Sequence, residues 1–243
     1  MLNEEEVING GVAVAVEEMV EVQTPVREHK IIEVKGGKIY AFLKRFEDIV
    51  ASLVAITILF IPMLIIGLLV KLTSKGPVFF KDKRVGKGGK EITVLKFRSM
   101  YIDAESNIDK YLTEEQKIIW VRERKLDPDP RITKVGRFLR KTSLDELPQL
   151  INIFKGDLSI VGPRPITKSE MDLNYTEYEQ SILTLARPGL TGYWQVYGRS
   201  NIDYQSGQRQ KLELEYYSKR GFWFDIGIIF KTIPAVLKSK GAH

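Results

Sequence analysis

From Ile49 to Val70 the chain reads IVASLVAITILFIPMLIIGLLV, a run without a charged residue. As a helix at 1.5 Å per residue it would measure roughly 30 Å, the thickness of a bilayer's hydrocarbon core. That length, with no polar punctuation, argues against the buried helix of a soluble domain. Pro62 sits in its second half. It removes one backbone hydrogen bond and tends to kink a helix. Both flanks are basic: Lys38, Lys44 and Arg45 precede the run, and Lys71, Lys75, Lys81, Lys83 and Arg84 follow it. Basic residues mark the cytoplasmic end of a span, so two basic flanks predict two ends on one face. Two dispositions satisfy these residues, a re-entrant helix-break-helix dipping into one leaflet and a kinked single span.

The remainder is too polar for a multi-spanning protein and too apolar for a disordered one. Hydrophobic residues make up 44% of the 243 positions and charged residues 28%. The net charge of +6 fits an anionic partner, whether nucleic acid, anionic lipid or phosphorylated substrate; it also fits a merely solvated basic surface. Cysteine is absent, which excludes thiol catalysis, disulfides and cysteine-ligated zinc. The two histidines, His29 and His243, lie near the chain ends and argue against a histidine triad or histidine-rich metal site. Any chemistry falls to Asp, Glu, Lys, Arg or Tyr. Any metal should be hard and oxygen-ligated, with magnesium first.

The composition divides the chain in three. Residues 1–37 form an acidic, valine-rich arm, without the features of a signal peptide and ending at Gly36-Gly37. Residues 38–75 carry the membrane run. Residues 76–243 read as mixed α/β and mainly helical. There, Val78–Phe80 and Ile92–Phe97 predict a hairpin around Gly86-Lys87-Gly88-Gly89. Helices are predicted over Ile108–Lys125, Ile132–Arg140, Glu146–Phe154 (closed by Gly156), Tyr175–Leu185 and Gln208–Lys219. Phe222 to Val236 is apolar on one side. It suits either a core-packed helix or one lying in the membrane interface.

Ser143-Leu144-Asp145-Glu146-Leu147-Pro148-Gln149 places two carboxylates side by side, with Arg131, Arg137 and Arg140 just upstream. By itself the stretch fits a capping box, Ser143 as N-cap and Glu146 returning to its backbone. Adjacent helical residues point about 100° apart, so the pair cannot flank a sugar as glycosidase carboxylates do. It can serve one phosphate, one carboxylate attacking and the other holding a cation. Gly162-Pro163-Arg164-Pro165 holds Arg164 on a backbone fixed by two prolines, which suits anion binding or a plain surface turn. Arg187-Pro188-Gly189-Leu190-Thr191-Gly192-Tyr193-Trp194-Gln195 is a glycine-rich aromatic loop able to stack a base or sugar, or simply to turn. Lys96-Phe97-Arg98 puts two cations at a strand end. There is no Walker loop and no dinucleotide fingerprint.

Taken in order, these segments resemble a known family. Lys44-Arg45-Phe46-Glu47-Asp48, the apolar run with Pro62, Gly76-Pro77-Val78-Phe79-Phe80, Arg84-Val85-Gly86 and Lys96-Phe97-Arg98-Ser99-Met100 come first. Arg131-Ile132-Thr133-Lys134-Val135-Gly136-Arg137, Leu144 to Leu150, Asn152, Lys155-Gly156-Asp157, Val161 to Pro165 and Arg187 to Gly192 follow. From about Lys38 onward the chain is similar to the bacterial sugar transferases, monotopic polyprenyl-phosphate phosphoglycosyltransferases. The resemblance implies a re-entrant helix broken near Pro62 and a catalytic face on the cytoplasmic side of the bacterial cell membrane. It implies transfer of a sugar-1-phosphate from a UDP-sugar to polyprenyl phosphate in the inner membrane leaflet, with release of UMP. Asp145 is then the nucleophile forming a phosphosugar-enzyme intermediate, and Glu146 the ligand of a Mg2+ cofactor. Arg164, Arg187, Arg98, Arg131 and Gln149 become the substrate- and phosphate-binding candidates. The Tyr193-Trp194 loop and the ending Gly241-Ala242-His243 look like hexose-phosphate initiators, implying galactose or glucose. Larger relatives carry a further domain ahead of the catalytic part, where this sequence has only its arm. The competing expectation is a membrane-anchored interaction protein with an inactive site, which would not need the carboxylate pair. A nucleic-acid partner rests on charge alone and is not expected. No heptad fixes an oligomeric state, and a homo-oligomer stays open.

Overall fold

The protein is described by a computed structural model over residues 31–123, 126–198, 204 and 206–238. The expected arm lies outside these residues up to position 30, as does the ending at 239–243.

Helix α1 (Lys38–Thr73) takes up the whole apolar run and its flanks, 36 residues in all. At 1.5 Å per residue that is roughly 54 Å. It is the one helix, among the described residues, long and apolar enough to cross a membrane. Pro62 lies inside α1 without interrupting it, so the expected helix-break-helix is not present as a gap. A proline forfeits one N–H···O bond and crowds the carbonyl four residues back, and a long helix can absorb both.

One face of α1 meets the rest of the protein along its length. Asp48, Ser52, Ile66 and Val70 are buried, and Ala55, Ile56, Leu59 and Met63 are packed between them. Their spacing of three and four is that of a single helical stripe. The other faces stay open: Phe42, Ile58, Ile61, Leu64, Leu68 and Leu72 are 54–73% exposed. An apolar surface of that extent marks contact with a membrane or a partner.

The hairpin forms as expected. Strand β1 (Phe79–Val85) pairs antiparallel with β2 (Glu91–Phe97), Phe79 opposite Phe97 and Val85 opposite Glu91. The helix expected over Ile108–Lys125 is two, α2 (Ile108–Tyr111) and α3 (Glu114–Glu123). Thr113 is the reason: its hydroxyl accepts from Gln116 N at 3.3 Å while Gln116 Oε1 accepts from Thr113 N at 3.1 Å. That reciprocal cap starts a new helix there. Helix α4 (Lys134–Lys141) begins at Thr133, whose hydroxyl accepts from Gly136 N at 2.9 Å. A single 3-10 turn (Leu144–Glu146) leads to α5 (Gln149–Lys155), which closes at Gly156.

Strand β3 (Ser159–Val161) runs parallel to β4 (Gly189–Thr191), with α6 (Lys168–Asn174) and α7 (Glu177–Leu183) between them. Three-residue strands leave no readable alternation in a sequence. At this crossing Gly162 and Gly189 touch backbone to backbone; a Cβ on Gly162 would fall 2.4 Å from the Arg187 carbonyl oxygen. Short α8 (Tyr193–Tyr197), then α9 (Gln208–Lys219) and α10 (Phe222–Lys238) complete the chain.

Among the described residues, three apolar clusters form the interior. The largest joins Val161, Ile166, Met171 and Tyr175 to Leu214, Tyr216, Tyr217 and Ile228. The other two are built partly on α1. Ile66 and Val70 pack with Phe97 and Leu139, and Ala55, Ile56 and Leu59 pack against Val94, Leu150, Ile153 and Leu158.

Polar contacts fasten both ends of α1 to the same body. Near its start, Lys44 Nζ donates to the fully buried Asp225 Oδ2 at 2.6 Å, and Tyr40 Oη donates to the same oxygen at 2.8 Å. Arg45 donates to the carbonyls of Ile153 and Phe154 at 2.8 and 2.7 Å, satisfying the end of α5. Asp48 Oδ1 accepts from Ser159 Oγ and Ile160 N at 3.0 and 2.9 Å. At the far end, Arg98 donates to the carbonyls of Ser74 and Lys75, each at 2.7 Å, and to Ser74 Oγ at 2.8 Å. A cation there also meets the negative end of the helix dipole.

Candidate active site

Asp145 and Glu146 lie in the 3-10 turn between α4 and α5. The capping-box alternative fails here. Ser143 has φ 56° and ψ 18°, a left-handed conformation, and its side chain makes no cap bond. It is the one non-glycine residue with positive φ among the described residues. Such a conformation costs about 1 kcal/mol or more and persists only where the surroundings impose it. The surroundings are Leu144 and Leu147, which bracket the pair and pack with Phe97, Leu139, Ile66 and Val70. The carboxylates are thus carried on a turn held against β2 and α4, its two leucines entering the cluster to which α1 contributes Ile66 and Val70.

Two cations face the pair. Lys96 Nζ lies 3.6 Å from Glu146 Oε1 and 4.0 Å from Asp82 Oδ2. Arg140 donates from Nε to Ser99 Oγ at 2.9 Å and acts electrostatically on Asp145. Gly136 lets this side close. A Cβ there would sit 1.9 Å from the Ser99 carbonyl oxygen, so only glycine brings α4 onto that backbone. Burial pushes the Asp145 carboxyl up, and the neighbouring Glu146 charge pushes it further; Lys96 and Arg140 pull it down. Taken from water and placed beside a like charge, Asp145 is a carboxylate whose ionised form needs cations to hold it.

A chain of alternating charge leads away from the pair. Lys96 reaches Asp82, whose Oδ2 accepts from Arg84 at 2.7 Å. Arg84 in turn donates to the Pro165 carbonyl at 3.4 Å and pairs with Glu170 at 3.6 Å. The proline-bracketed loop is therefore tied to the carboxylate pair through three charged side chains. Arg164 itself is exposed, its guanidinium 5.5 Å over the Trp194 ring. Arg209 stacks on the same ring at 4.4 Å and on Tyr204 at 4.0 Å. Beneath the loop, both Glu213 carboxylate oxygens accept from Arg164 N at 3.3 Å.

The other expected binding residues are buried or hydrogen-bonded within the fold. Arg98 is buried and engaged with the end of α1. Arg131 is buried in a two-point pair with Asp129, at 3.0 and 2.8 Å, and stacks on Trp120. Phosphate contact by either would require breaking those bonds. Arg187 donates from Nε to the Gly156 carbonyl at 2.7 Å, and Gln149 is buried at the first position of α5. Asn152, one of the motif residues, pairs with the edge of β2: it accepts from Leu95 N at 2.9 Å and donates to the Thr93 carbonyl at 2.7 Å.

Sequence reasoning did not single out Lys96, Asp82, Arg84 or Arg140 as a set. The signal was present in the hairpin. With Phe80 opposite Lys96, strand alternation puts Asp82 and Arg84 on the face that Lys96 shares.

The sequence profile of the bacterial sugar transferases matches residues 39–239. The undecaprenyl-phosphate galactose phosphotransferase of Salmonella typhimurium is 43% identical over 205 residues, 83% of this chain and 42% of that protein. The UDP-glucose:undecaprenyl-phosphate glucose-1-phosphate transferase of Escherichia coli is 39% identical over 205 residues, 83% of this chain and 41% of its own length. The exopolysaccharide production protein ExoY of Rhizobium meliloti is 40% identical over 205 residues, 82% of this chain and 88% of that protein. The chain thus spans well under half the length of the first two of these relatives.

Proposed function

The chain belongs to the bacterial sugar transferase family, and on that footing we propose that it transfers a hexose-1-phosphate from a UDP-sugar to undecaprenyl phosphate, releasing UMP. Such a step begins the assembly of a membrane-bound glycan. The observation that carries the reading is the carboxylate pair itself, flanked by Leu144 and Leu147 in the cluster that α1 shares and faced by Lys96 and Arg140. A soluble nucleotide sugar and a lipid phosphate can both reach a site built on that boundary.

In this reading Asp145 attacks the sugar-bearing phosphorus of the UDP-sugar. The bond from that phosphorus to the bridging oxygen breaks, and UMP leaves with the electron pair. A phosphate oxygen of undecaprenyl phosphate then attacks the same phosphorus and expels Asp145, giving the lipid diphosphosugar. Splitting the transfer lets two anionic substrates use one site in turn. Lys96 and Arg140 keep Asp145 ionised and offset charge as it approaches the diphosphate. Arg164, on its fixed backbone, takes phosphate oxygens, and Trp194 and Tyr204 give flat surfaces nearby. Arg187 holds the frame between the glycine-rich loop and the end of α5, and Gln149 is proposed to act from the start of that helix.

A hard cation fits this donor set. The adjacent carboxylates would supply oxygen donors and water and phosphate oxygens the remaining positions; among the described residues no cluster of three acidic or histidine side chains adds to them. Magnesium binds in that manner. Glu146 would hold it, and the ion would offset charge on the diphosphate. The exposed face of α1 is proposed to lie in the inner leaflet, both of its ends on the cytoplasmic side, with Trp223 and Phe230 of α10 at headgroup depth. These two are 81% and 68% exposed while Asp225 and Ile228 on the opposite face are fully buried.

The test is UMP release by the purified full chain, with undecaprenyl phosphate and a panel of UDP-hexoses in the presence of magnesium. Release that depends on the lipid phosphate, with one sugar preferred, is expected. No release with any member of the panel would overturn the assignment.

A further inference from the structure

A cleft of about 570 Å³ opens at the C-terminal end of α1, between that helix end and the segment from Tyr101 to Tyr111. Lys71, Lys75 and Lys110 supply its cations, and all three are exposed. Asp103 is its one acidic lining residue, so the cleft carries a surplus of two positive charges. Asp103 is already occupied: it accepts from Lys110 Nζ at 2.7 Å and from Tyr111 Oη at 2.5 Å. Tyr101 and Tyr111 stack with ring centroids 5.5 Å apart and stiffen this wall.

The cleft is not purely polar. Leu72 lines it and is 73% exposed. It continues the open apolar face of α1 that runs through Leu64 and Leu68. Ile102 on the facing wall is 64% exposed. Lysines beside apolar side chains, at the end of a helix with an open apolar face, match the boundary between headgroups and acyl chains. The negative end of the α1 dipole would oppose an anion here, but the Arg98 guanidinium already sits at that end, donating to the carbonyls of Val70, Ser74 and Lys75.

We propose that this cleft binds the phosphodiester headgroup of an anionic bilayer phospholipid, with Lys71, Lys75 and Lys110 around the phosphate and Leu72 and Ile102 against the first acyl carbons. The site seats the C-terminal end of α1 at a fixed depth. It rests on the membrane disposition proposed above but not on the chemistry proposed for Asp145. Free phosphate would leave the two apolar walls unused, which favours a lipid as the source.

Flotation of the purified full chain with vesicles tests it. Vesicles of phosphatidylcholine alone are compared with vesicles that also contain phosphatidylglycerol. Wild type should bind the anionic vesicles at least about tenfold more tightly, since each lysine near an anionic surface adds about fivefold. The triple variant Lys71→Gln, Lys75→Gln, Lys110→Gln should lose most of that increment and keep its binding to neutral vesicles. Asp103→Asn, which removes the opposing charge, should shift the other way. Ile102→Ser, which removes the apolar wall without adding charge, should also weaken anionic binding. Inorganic phosphate added to saturation should not compete. Equal anionic binding by the triple variant and wild type would overturn the proposal, as would competition by free phosphate. A triple variant that binds both vesicle types normally and is impaired only in its KM for undecaprenyl phosphate would assign the cleft to the acceptor and also overturn it. UMP release in neutral detergent micelles separates the two readings. The triple variant should match wild type there, whereas an inactive wild type would count against the enzyme assignment alone.

Discussion

Glu213 shows how much the proline-bracketed loop depends on one side chain beneath it. Burial pushes its carboxyl from the ordinary 4.5 up to about 7, against the pull of the Arg164 backbone N–H and of the Arg209 and Arg164 charges; Glu170 adds to the rise. Between those two pH values the folded protein keeps the proton and the unfolded chain does not. Rising pH in that window therefore favours unfolding. The penalty is absent below about pH 4 and fully present above about pH 7. Glu213→Gln keeps an oxygen for Arg164 N and removes the titration. Relative to wild type, its stability should improve by on the order of 2 kcal/mol between pH 4.5 and pH 8. Denaturant unfolding of both proteins at the two pH values checks this. A difference that stays constant with pH would mean that Glu213 does not titrate in the window. Ser143 is the other telling residue at this scale. Its left-handed backbone turns what the sequence reads as a helix cap into a projecting turn. Nothing in Ser-Leu-Asp-Glu announces that, because the cause is tertiary: Leu144 and Leu147 must both reach the cluster on α1.

Among the elements, α1 is a core helix on one face and an open apolar surface on the others. Its inner stripe supplies two of the three apolar clusters, while its outer faces remain open. The motif Lys44-Arg45-Phe46-Glu47-Asp48 is explained as a docking strip. Lys44, Arg45 and Asp48 each make a polar contact to a different part of the body, and Phe46 is 61% exposed. Breaking a buried pair leaves an uncompensated charge. Lys44→Met should accordingly cost about 3 kcal/mol, because Asp225 would keep only the hydroxyls of Tyr40 and Tyr216. Thermal unfolding in detergent measures it, and an unchanged midpoint would show that the pair contributes nothing. The hairpin and α9 were legible because alternation and helical spacing are local properties. The β3–β4 pair and the split at Thr113 were not, since the first needs partners thirty residues apart and the second turns on a single side-chain cap.

For the molecule as a whole, a 54 Å helix touched by one body at both ends and along its middle cannot leave that body on one side of a bilayer while crossing it straight. Both ends should therefore face the same compartment. The chain has no cysteine of its own, so Lys38→Cys and Thr73→Cys each give a unique label site. In inside-out vesicles a membrane-impermeant maleimide should reach both, and in right-side-out vesicles neither. Opposite behaviour of the two would make α1 a span. The two basic flanks carried that expectation in the sequence, but the inner stripe that supports it did not stand out, because the run is apolar on all sides but for Ser52 and Thr57, and those two mark no continuous face. The candidate site was half legible for a similar reason. Asp145 and Glu146 are adjacent in sequence and could be seen. Lys96, Arg140, Asp82 and Arg84 come together only through the hairpin register and the close approach of α4 at Gly136. The central claim is that Asp145 is the group that attacks phosphorus, and intact-mass analysis tests it most directly. Wild type given UDP-sugar without lipid acceptor should gain the mass of one hexose phosphate and release an equal amount of UMP, while Asp145→Asn should gain no mass and release none. An Asp145→Asn protein that still acquires the adduct, or that turns over at the wild-type rate, would contradict it.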